Sequence, residues 1–347
     1  MSELTGPIRV IGAGLLGTSI GLAASRRGIT VYLSDTRDEH VRTASGLGAG
    51  QPYAGQPVQL VVVAVPPDHL GEAIQSALAD GAIVTDVGSV KSPALRELVG
   101  DLSRYVGSHP MAGSERSGPL AASAALFDGR PWAVTPHAGS SDHAVALVTE
   151  LVELCGAVPI VLSPEEHDQA VARTSHLPHL LAVLVAGRLA EAPAQHLALS
   201  GQGVRDVTRI AASDPMMWKQ IIGANAEAVL GVLSEVREQL DALMSAVDGD
   251  GDIVAILERG VAGTRAIPGK HGGPLTPTRS VFVSVPDHPG ELARLFADAG
   301  ASEVNIEDVR IDHDPGRATG LVELVVREDR AEHLLSSLEA RGWTVHR

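Results

Sequence analysis

His109 lies in the run Ser108-His109-Pro110-Met111-Ala112-Gly113-Ser114-Glu115, a single imidazole in a glycine-bearing loop. Upstream, Ser89 closes the run Asp86-Val87-Gly88-Ser89-Val90-Lys91. Oxidising an alcohol requires an acceptor for hydride and a group near neutrality that takes the hydroxyl proton, and imidazole is the side chain suited to the second task. In a doubly wound sheet, ligands sit beyond the carboxyl ends of the strands. A strand expected over residues 82–87 would therefore aim Ser89 and Lys91 into a cleft. The next strand, expected over 104–107, would bring His109 to the same edge. Ser89 as a plain turn residue and His109 as part of a His-Pro turn are the blander readings. Neither explains the two together.

The hydride acceptor has its own signature. Gly12-x-Gly14-x-x-Gly17 follows an apolar run, Ile8 to Ile11, and opens a helix through Leu15 and Leu16. Gly12 permits a tight turn, Gly14 lets the backbone approach a pyrophosphate, and Gly17 lets the helix pack on the strand. Asp35 ends the second apolar run at the spacing of a ribose-binding acid. Val65 and Pro66 close the strand expected beside the first. A carboxylate at position 35 repels the 2′-phosphate of NADP, so NAD is the expected cofactor; Arg37 is the one nearby residue that would receive such a phosphate.

Further along, Thr174-Ser175-His176-Leu177-Pro178-His179 places two histidines three apart within a long helix that Pro178 should kink. A metal pair fits that spacing, but no third ligand accompanies it, and no metal site is expected. One histidine is read as buried and hydrogen-bonded, the other as facing the cleft. Asp206 and Arg209 are also three apart; they form either a surface ion pair or a grip on a substrate carboxylate, which arginine binds through two parallel hydrogen bonds. Asp248-Gly249-Asp250-Gly251-Asp252 suggests a calcium loop, but the template's glycine falls on Ile253 and its bidentate acid on Arg259. Asp252 is read instead as a helix N-cap.

These groups need a scaffold. The 347 residues suffice for two or three domains. A net charge of -15 argues against a nucleic-acid surface. The single cysteine, Cys155, excludes an internal disulfide, and the start of the chain shows neither a signal peptide nor a membrane span. A cytoplasmic protein is expected. Up to residue 162, Val/Ile-rich runs alternate with helical segments, the pattern of a Rossmann-like α/β domain with a mostly parallel sheet. Ser163-Pro164-Glu165-Glu166 then starts an all-α domain, expected over 163–263, whose apolar helices call for burial against a second copy in a homodimer. A Pro/Gly-rich linker over 264–278 precedes a small α+β domain at 279–347, ordered strand, helix, strand, strand, helix, strand, which is ferredoxin-like.

The ordered runs IGAGLLGTSIG, TDVGSVK, GSHPMAGSERSG, LFDGRPWAVTP, TSHLPH and VRDVTRIAASDPMMW resemble the prephenate/arogenate dehydrogenase family over residues 8–263. PDHPGELARLFADAG followed by VNIEDVRI looks like an ACT domain, a small-molecule sensor. The resemblance implies NAD-dependent oxidative decarboxylation of prephenate to 4-hydroxyphenylpyruvate, or of arogenate to tyrosine. By the same resemblance, His109 is the base and Ser89 hydrogen-bonds the ring hydroxyl. Arg209 binds a substrate carboxylate with Asp206 orienting it, Glu115 gates the cleft, His176 or His179 contacts substrate, and Trp218 packs at the site mouth. Asp287, Gly290 and Asn305 match positions where ACT modules hold an amino acid, here tyrosine as feedback inhibitor. A β-hydroxyacid dehydrogenase, an imine reductase, or a non-catalytic NAD-binding amino-acid sensor are the rival readings.

Overall fold

The computed structural model describes residues 3–113, 116–268, 277–312 and 319–346. The chain divides into two compact units, residues 1–244 and 245–347. In the first, strands β1 (Ile8–Ile11), β2 (Val31–Ser34), β3 (Gln51–Pro52), β4 (Leu60–Val63) and β5 (Ile83–Asp86) form a parallel sheet ordered β3-β2-β1-β4-β5. Only β4 and β5 are buried along their whole length; β1 and β2 alternate buried with half-buried positions. Ile8, Val10, Leu60 and Val62 are fully buried and join the main core, each contributing roughly 1.5–3 kcal/mol of apolar burial.

A second sheet, β6-β7-β8, holds β6 (Gly107–Pro110), β7 (Pro131–Thr135) and β8 (Val158–Val161), with β6 antiparallel and β8 parallel to β7. This corrects the expectation of a strand over 104–107. Tyr105 meets β5 only through an isolated parallel bridge to Val84, and the ladder forms later, against β7. His109 is therefore a strand residue, paired with Ala133, and not part of a following loop.

Ser163 caps the helix Pro164–Val171 in a capping box with Glu166, which satisfies two otherwise orphan N–H groups reciprocally. The helix does not run straight on. Residues Ala172–His176 form a π turn before the helix Leu177–Ala190. Pro178 lacks an N–H and crowds the carbonyl four residues back, and the wider turn just before it accommodates both. Helices Pro215–Ala224 and Ala226–Val247 follow, the first capped by Asp214. Val183, Leu184, Val185, Leu230 and Leu240 are exposed on these helices. No helix among the described residues is long and apolar enough to cross a membrane.

In the second unit, Asp252 caps the helix Ile253–Ala266, which runs past the residue 263 boundary expected for the helical region. Strands β9 (Thr278–Pro286), β10 (Ile306–Asp312), β11 (Thr319–Arg327) and β12 (Thr344–His346) form a sheet ordered β10-β11-β9-β12, with helices Glu291–Gly300 and Glu328–Ala340 between them. The ferredoxin-like expectation matches this order. Val281, Val283, Leu295, Leu324 and Leu334 make its separate core.

Candidate active site

The glycine turn shows why those positions exclude a side chain. Gly12 sits at φ +100°, and a Cβ there would lie 2.3 Å from the Ala64 carbonyl oxygen and 3.1 Å from the Val65 nitrogen. A Cβ at Gly17 would lie 1.9 Å from the Gly12 carbonyl oxygen, so the helix opened by Leu15 and Leu16 could not pack against the turn. Gly14 differs. A Cβ there would meet no protein atom within 4 Å, which leaves an open backbone where a pyrophosphate would approach. Asp35 accepts the Ala13 N–H at 2.7 Å and the Arg37 N–H at 2.8 Å. An ionised carboxylate has further acceptor sites, so ribose hydroxyls can still be held there. Pro66 and the Arg37 side chain are exposed at the same edge. These residues fit a dinucleotide.

Beyond the carboxyl end of β5, the chain locks itself to β6. Ser108 Oγ donates to the Asp86 carbonyl oxygen at 2.8 Å, and Thr85 Oγ1 donates to Ser108 Oγ at 3.1 Å. His109 thus emerges at the level where β5 ends and Ser89, half-exposed, begins its turn. Lys91 departs from expectation. Its side chain is buried and points inward, donating to the carboxylate of Asp86 and, at 2.8 Å, to the Ser108 carbonyl oxygen. Tyr105 donates to the other Asp86 oxygen at 2.8 Å. A fully buried carboxylate needs this countercharge and these donors, which is why the lysine leaves the cleft. Burial lowers the pKa of Lys91 despite the opposing pull of Asp86, and burial together with Asp86 raises the Tyr105 phenol well above its usual range.

The helical segment meets this edge through one helix face. Pro164, His167, Asp168 and Val171 are the buried residues of their helix, the spacing of a single stripe. Asp168 accepts the backbone N–H groups of Lys91 and Ser92, each at 2.8 Å, and so caps the short helix Ser92–Glu97, which has no side-chain cap of its own. His167 Nδ1 lies 2.9 Å from Asp168 Oδ1, and His167 Nε2 lies 3.0 Å from His109 Nδ1. Burial opposes ionisation of Asp168, but the hydrogen bonds from His167 and the two backbone N–H groups prevail and hold its pKa down. Burial first, then His167, Lys91 and His176, place the His109 pKa well below the ordinary imidazole value.

His176 and His179 are both buried. Asn225 Nδ2 donates to the Asp168 carbonyl oxygen at 2.8 Å and faces His176 Nδ1 at 3.2 Å. That nitrogen must therefore accept, and His176 is neutral with its proton on Nε2; burial brings its pKa down to about 4. His179 stacks on Trp218 with ring centroids 3.5 Å apart and planes 3° from parallel. Burial lowers the His179 pKa against a hydrogen bond to the Ile210 backbone. Arg209 and Asp206 are exposed on the adjoining segment, and Asp206 accepts from Gln202 Nε2 at 2.8 Å. Glu115 lies outside the described residues.

The family model "Prephenate dehydrogenase, nucleotide-binding domain" matches residues 20–161, and "Prephenate dehydrogenase, dimerization domain" matches 163–258. A probable prephenate dehydrogenase, NovF of Streptomyces niveus, is 39% identical over 355 residues that span 96% of this chain and 98% of the relative. The chain belongs to the prephenate dehydrogenase family. This chain is an NAD-dependent oxidoreductase of tyrosine biosynthesis. Prephenate dehydrogenase from A. aeolicus, solved in complex with hydroxyphenyl propionate and NAD+, is 28% identical with a TM-score of 0.67; the match covers 74% of this chain and 96% of that one. Arogenate dehydrogenase from Synechocystis is 25% identical with a TM-score of 0.64, again covering 74% of this chain and 96% of that one.

Sequence reasoning passed over Asp86, Tyr105, His167, Asp168 and Asn225. One signal was available: His167 and Asp168 fall on the apolar stripe of their helix, opposite the solvated Glu165 and Glu166.

Proposed function

We propose that this member of the prephenate dehydrogenase family oxidises and decarboxylates prephenate to 4-hydroxyphenylpyruvate, with His109 as the base. The observation that carries the reading is His109 itself, held neutral at the carboxyl edge of β5, on the edge of the sheet that carries the glycine turn. When bound, NAD accepts the hydride from ring C4; Gly12, Gly14, Leu15, Leu16, Gly17, Asp35, Val65 and Pro66 would hold it. His109 takes the proton of the C4 hydroxyl, with Ser89 hydrogen-bonded to the same oxygen. Loss of the ring carboxylate as carbon dioxide sends its electrons into the ring, and the oxygen regains the proton from His109 as the phenol forms. Arg209 binds a substrate carboxylate. Trp218 walls the site through its stack on His179, which favours His179 over the Asn225-bound His176 as the histidine that meets substrate.

Arogenate is the second substrate reading, supported by the likeness to the Synechocystis enzyme. Steady-state kinetics with prephenate and arogenate, each with NAD and NADP, test the assignment. A kcat/KM highest for prephenate with NAD is expected, and no turnover of either substrate overturns it.

The domain reading follows the same lines: a dinucleotide-binding domain to residue 162, a helical dimerisation domain to about 263, a linker, and an ACT regulatory domain from 279. The exposed apolar residues on the helices support a homodimer, and the cytoplasm is the compartment proposed. In the small domain, Asp287 follows β9 and Gly290 caps the next helix at φ +96°, whereas Asn305 precedes β10. The register pairs Pro286 with Thr319 but Ile306 with Val326, so the two groups occupy opposite ends of one sheet. A shared amino-acid ligand thus requires two modules side by side. Isothermal titration with tyrosine, phenylalanine and tryptophan tests this, with heat expected for tyrosine and none for any amino acid sinking the idea.

A further inference from the structure

We infer that His167 and Asp168 are positioning residues that lock His109 in its Nδ1–H tautomer, so that Nε2 is the atom that receives the substrate proton. The inference rests on the reading of His109 as the base and adds which of its nitrogens works.

An ionised carboxylate only accepts hydrogen bonds. Asp168 accepts from two backbone N–H groups already, and the nitrogen it faces at 2.9 Å, His167 Nδ1, must therefore carry a proton. His109 can keep a lone pair for substrate only if its Nδ1 donates, which requires His167 to be neutral; its one N–H is then on Nδ1 and its Nε2 bears the lone pair. That lone pair points at His109 Nδ1 across 3.0 Å, and the contact is a hydrogen bond only if His109 Nδ1 is the donor. His109 Nε2 is then left unprotonated.

His167 and Asp168 are both buried, so water cannot substitute for either partner, and an unmet hydrogen bond at that depth is costly. During turnover the substrate O–H bond breaks and an Nε2–H bond forms. The imidazolium keeps its Nδ1–H bond to His167, whose own N–H reaches the Asp168 carboxylate. When the phenol forms, the proton returns along the same line. The other charged or titratable neighbours of His109 are Lys91 and His176. Lys91 is spoken for by Asp86 and the Ser108 carbonyl, and His176 by Asn225. Neither supplies an acceptor for His109 Nδ1.

Nitrogen NMR of the histidine-labelled full-length enzyme near neutral pH, with the signal assigned by its loss in His109→Asn, reads the tautomer directly. An Nδ1–H pattern is expected; an Nε2–H pattern overturns the proposal without any variant of the pair having to fold. Kinetics give the second readout. In His167→Gln the amide oxygen accepts from His109 and the amide nitrogen donates to Asp168, so most of the activity should remain. His167→Leu should lose kcat by roughly 10- to 100-fold, the range seen when the partner behind a metal-bound histidine is removed, with KM little changed. Its acid limb should also move, because the group that faces the His109 imidazolium is gone. Wild-type kcat and an unmoved pH profile in His167→Leu would refute the pair. Near-normal turnover in His109→Asn would remove the base, and the proposal with it; an inactive His109→Asn with the wrong tautomer removes the pair alone.

Discussion

The ammonium of Lys91 donates to the carbonyl oxygen of Ser108 at 2.8 Å and thereby clamps the peptide that carries His109. The same ammonium neutralises Asp86, whose carboxylate is fully buried. Replacing Lys91 with methionine would keep the volume of the stem and leave that carboxylate without its countercharge. Breaking one partner of a buried pair costs about 3–5 kcal/mol. Lys91→Met should therefore lower the urea midpoint by that equivalent, and Lys91→Met with Asp86→Asn should recover part of it. Equal stability of the two variants would show that the buried charge is not what the lysine serves.

His109→Asn should abolish turnover while NAD titrates normally, because the glycine turn and Asp35 are untouched. The wild-type pH profile carries a related expectation. The working form is the neutral imidazole, and burial, His167, Lys91 and His176 all push its pKa well down. Activity should hold through neutrality and fall only on the acid side of about pH 6.5, the ordinary histidine value. A limb in kcat/KM at or above that value would contradict the buried, cation-flanked setting.

Gly14→Ala and Gly17→Ala separate ligand approach from packing. At Gly14 the added methyl meets no protein atom within 4 Å, so the variant should unfold at the wild-type temperature and bind NAD more weakly. At Gly17 the methyl would sit 1.9 Å from the Gly12 carbonyl oxygen; stability and NAD affinity should fall together. Differential scanning calorimetry beside NAD titration distinguishes the two, and unchanged NAD affinity in Gly14→Ala would remove that glycine from the cofactor site.

Features set by local backbone demands were legible in the sequence. Ser163 announced its helix by its cap position before Pro164, Asp252 by its own cap position, and Pro178 by what it forbids four residues earlier. The C-terminal strand and helix order was legible for a similar reason, since alternation and helical spacing are short-range patterns. What stayed hidden depends on partners remote in sequence. Lys91 looks like a cleft cation until Asp86 is seen to be buried beneath it, and β6 looked three residues early because Tyr105 and Val106 are as apolar as a strand. His167 and Asp168 stood beside two solvated glutamates, and their role depends on strand residues far back along the chain.

His176 ties protonation to the stability of the first unit. Its folded-state pKa is about 4 against 6.5 unfolded, because burial disfavours the imidazolium more than the nearby Asp168 carboxylate favours it. Between these values the unfolded chain binds a proton that the folded chain refuses, so stability is full above about pH 6.5 and falls as pH drops toward 4. The loss from this group alone should be roughly 3 kcal/mol, levelling off below the folded pKa, where both states are protonated. His109 and His179 shift in the same direction and add to the slope, whereas Asp168, held below the usual carboxylate value, contributes its loss only at lower pH. His176→Asn removes one titrating group, and its unfolding free energy should vary less steeply across that window whatever its absolute offset. Parallel slopes for the variant and the wild type would mean that His176 is charged in the folded protein, contrary to the donor that faces it.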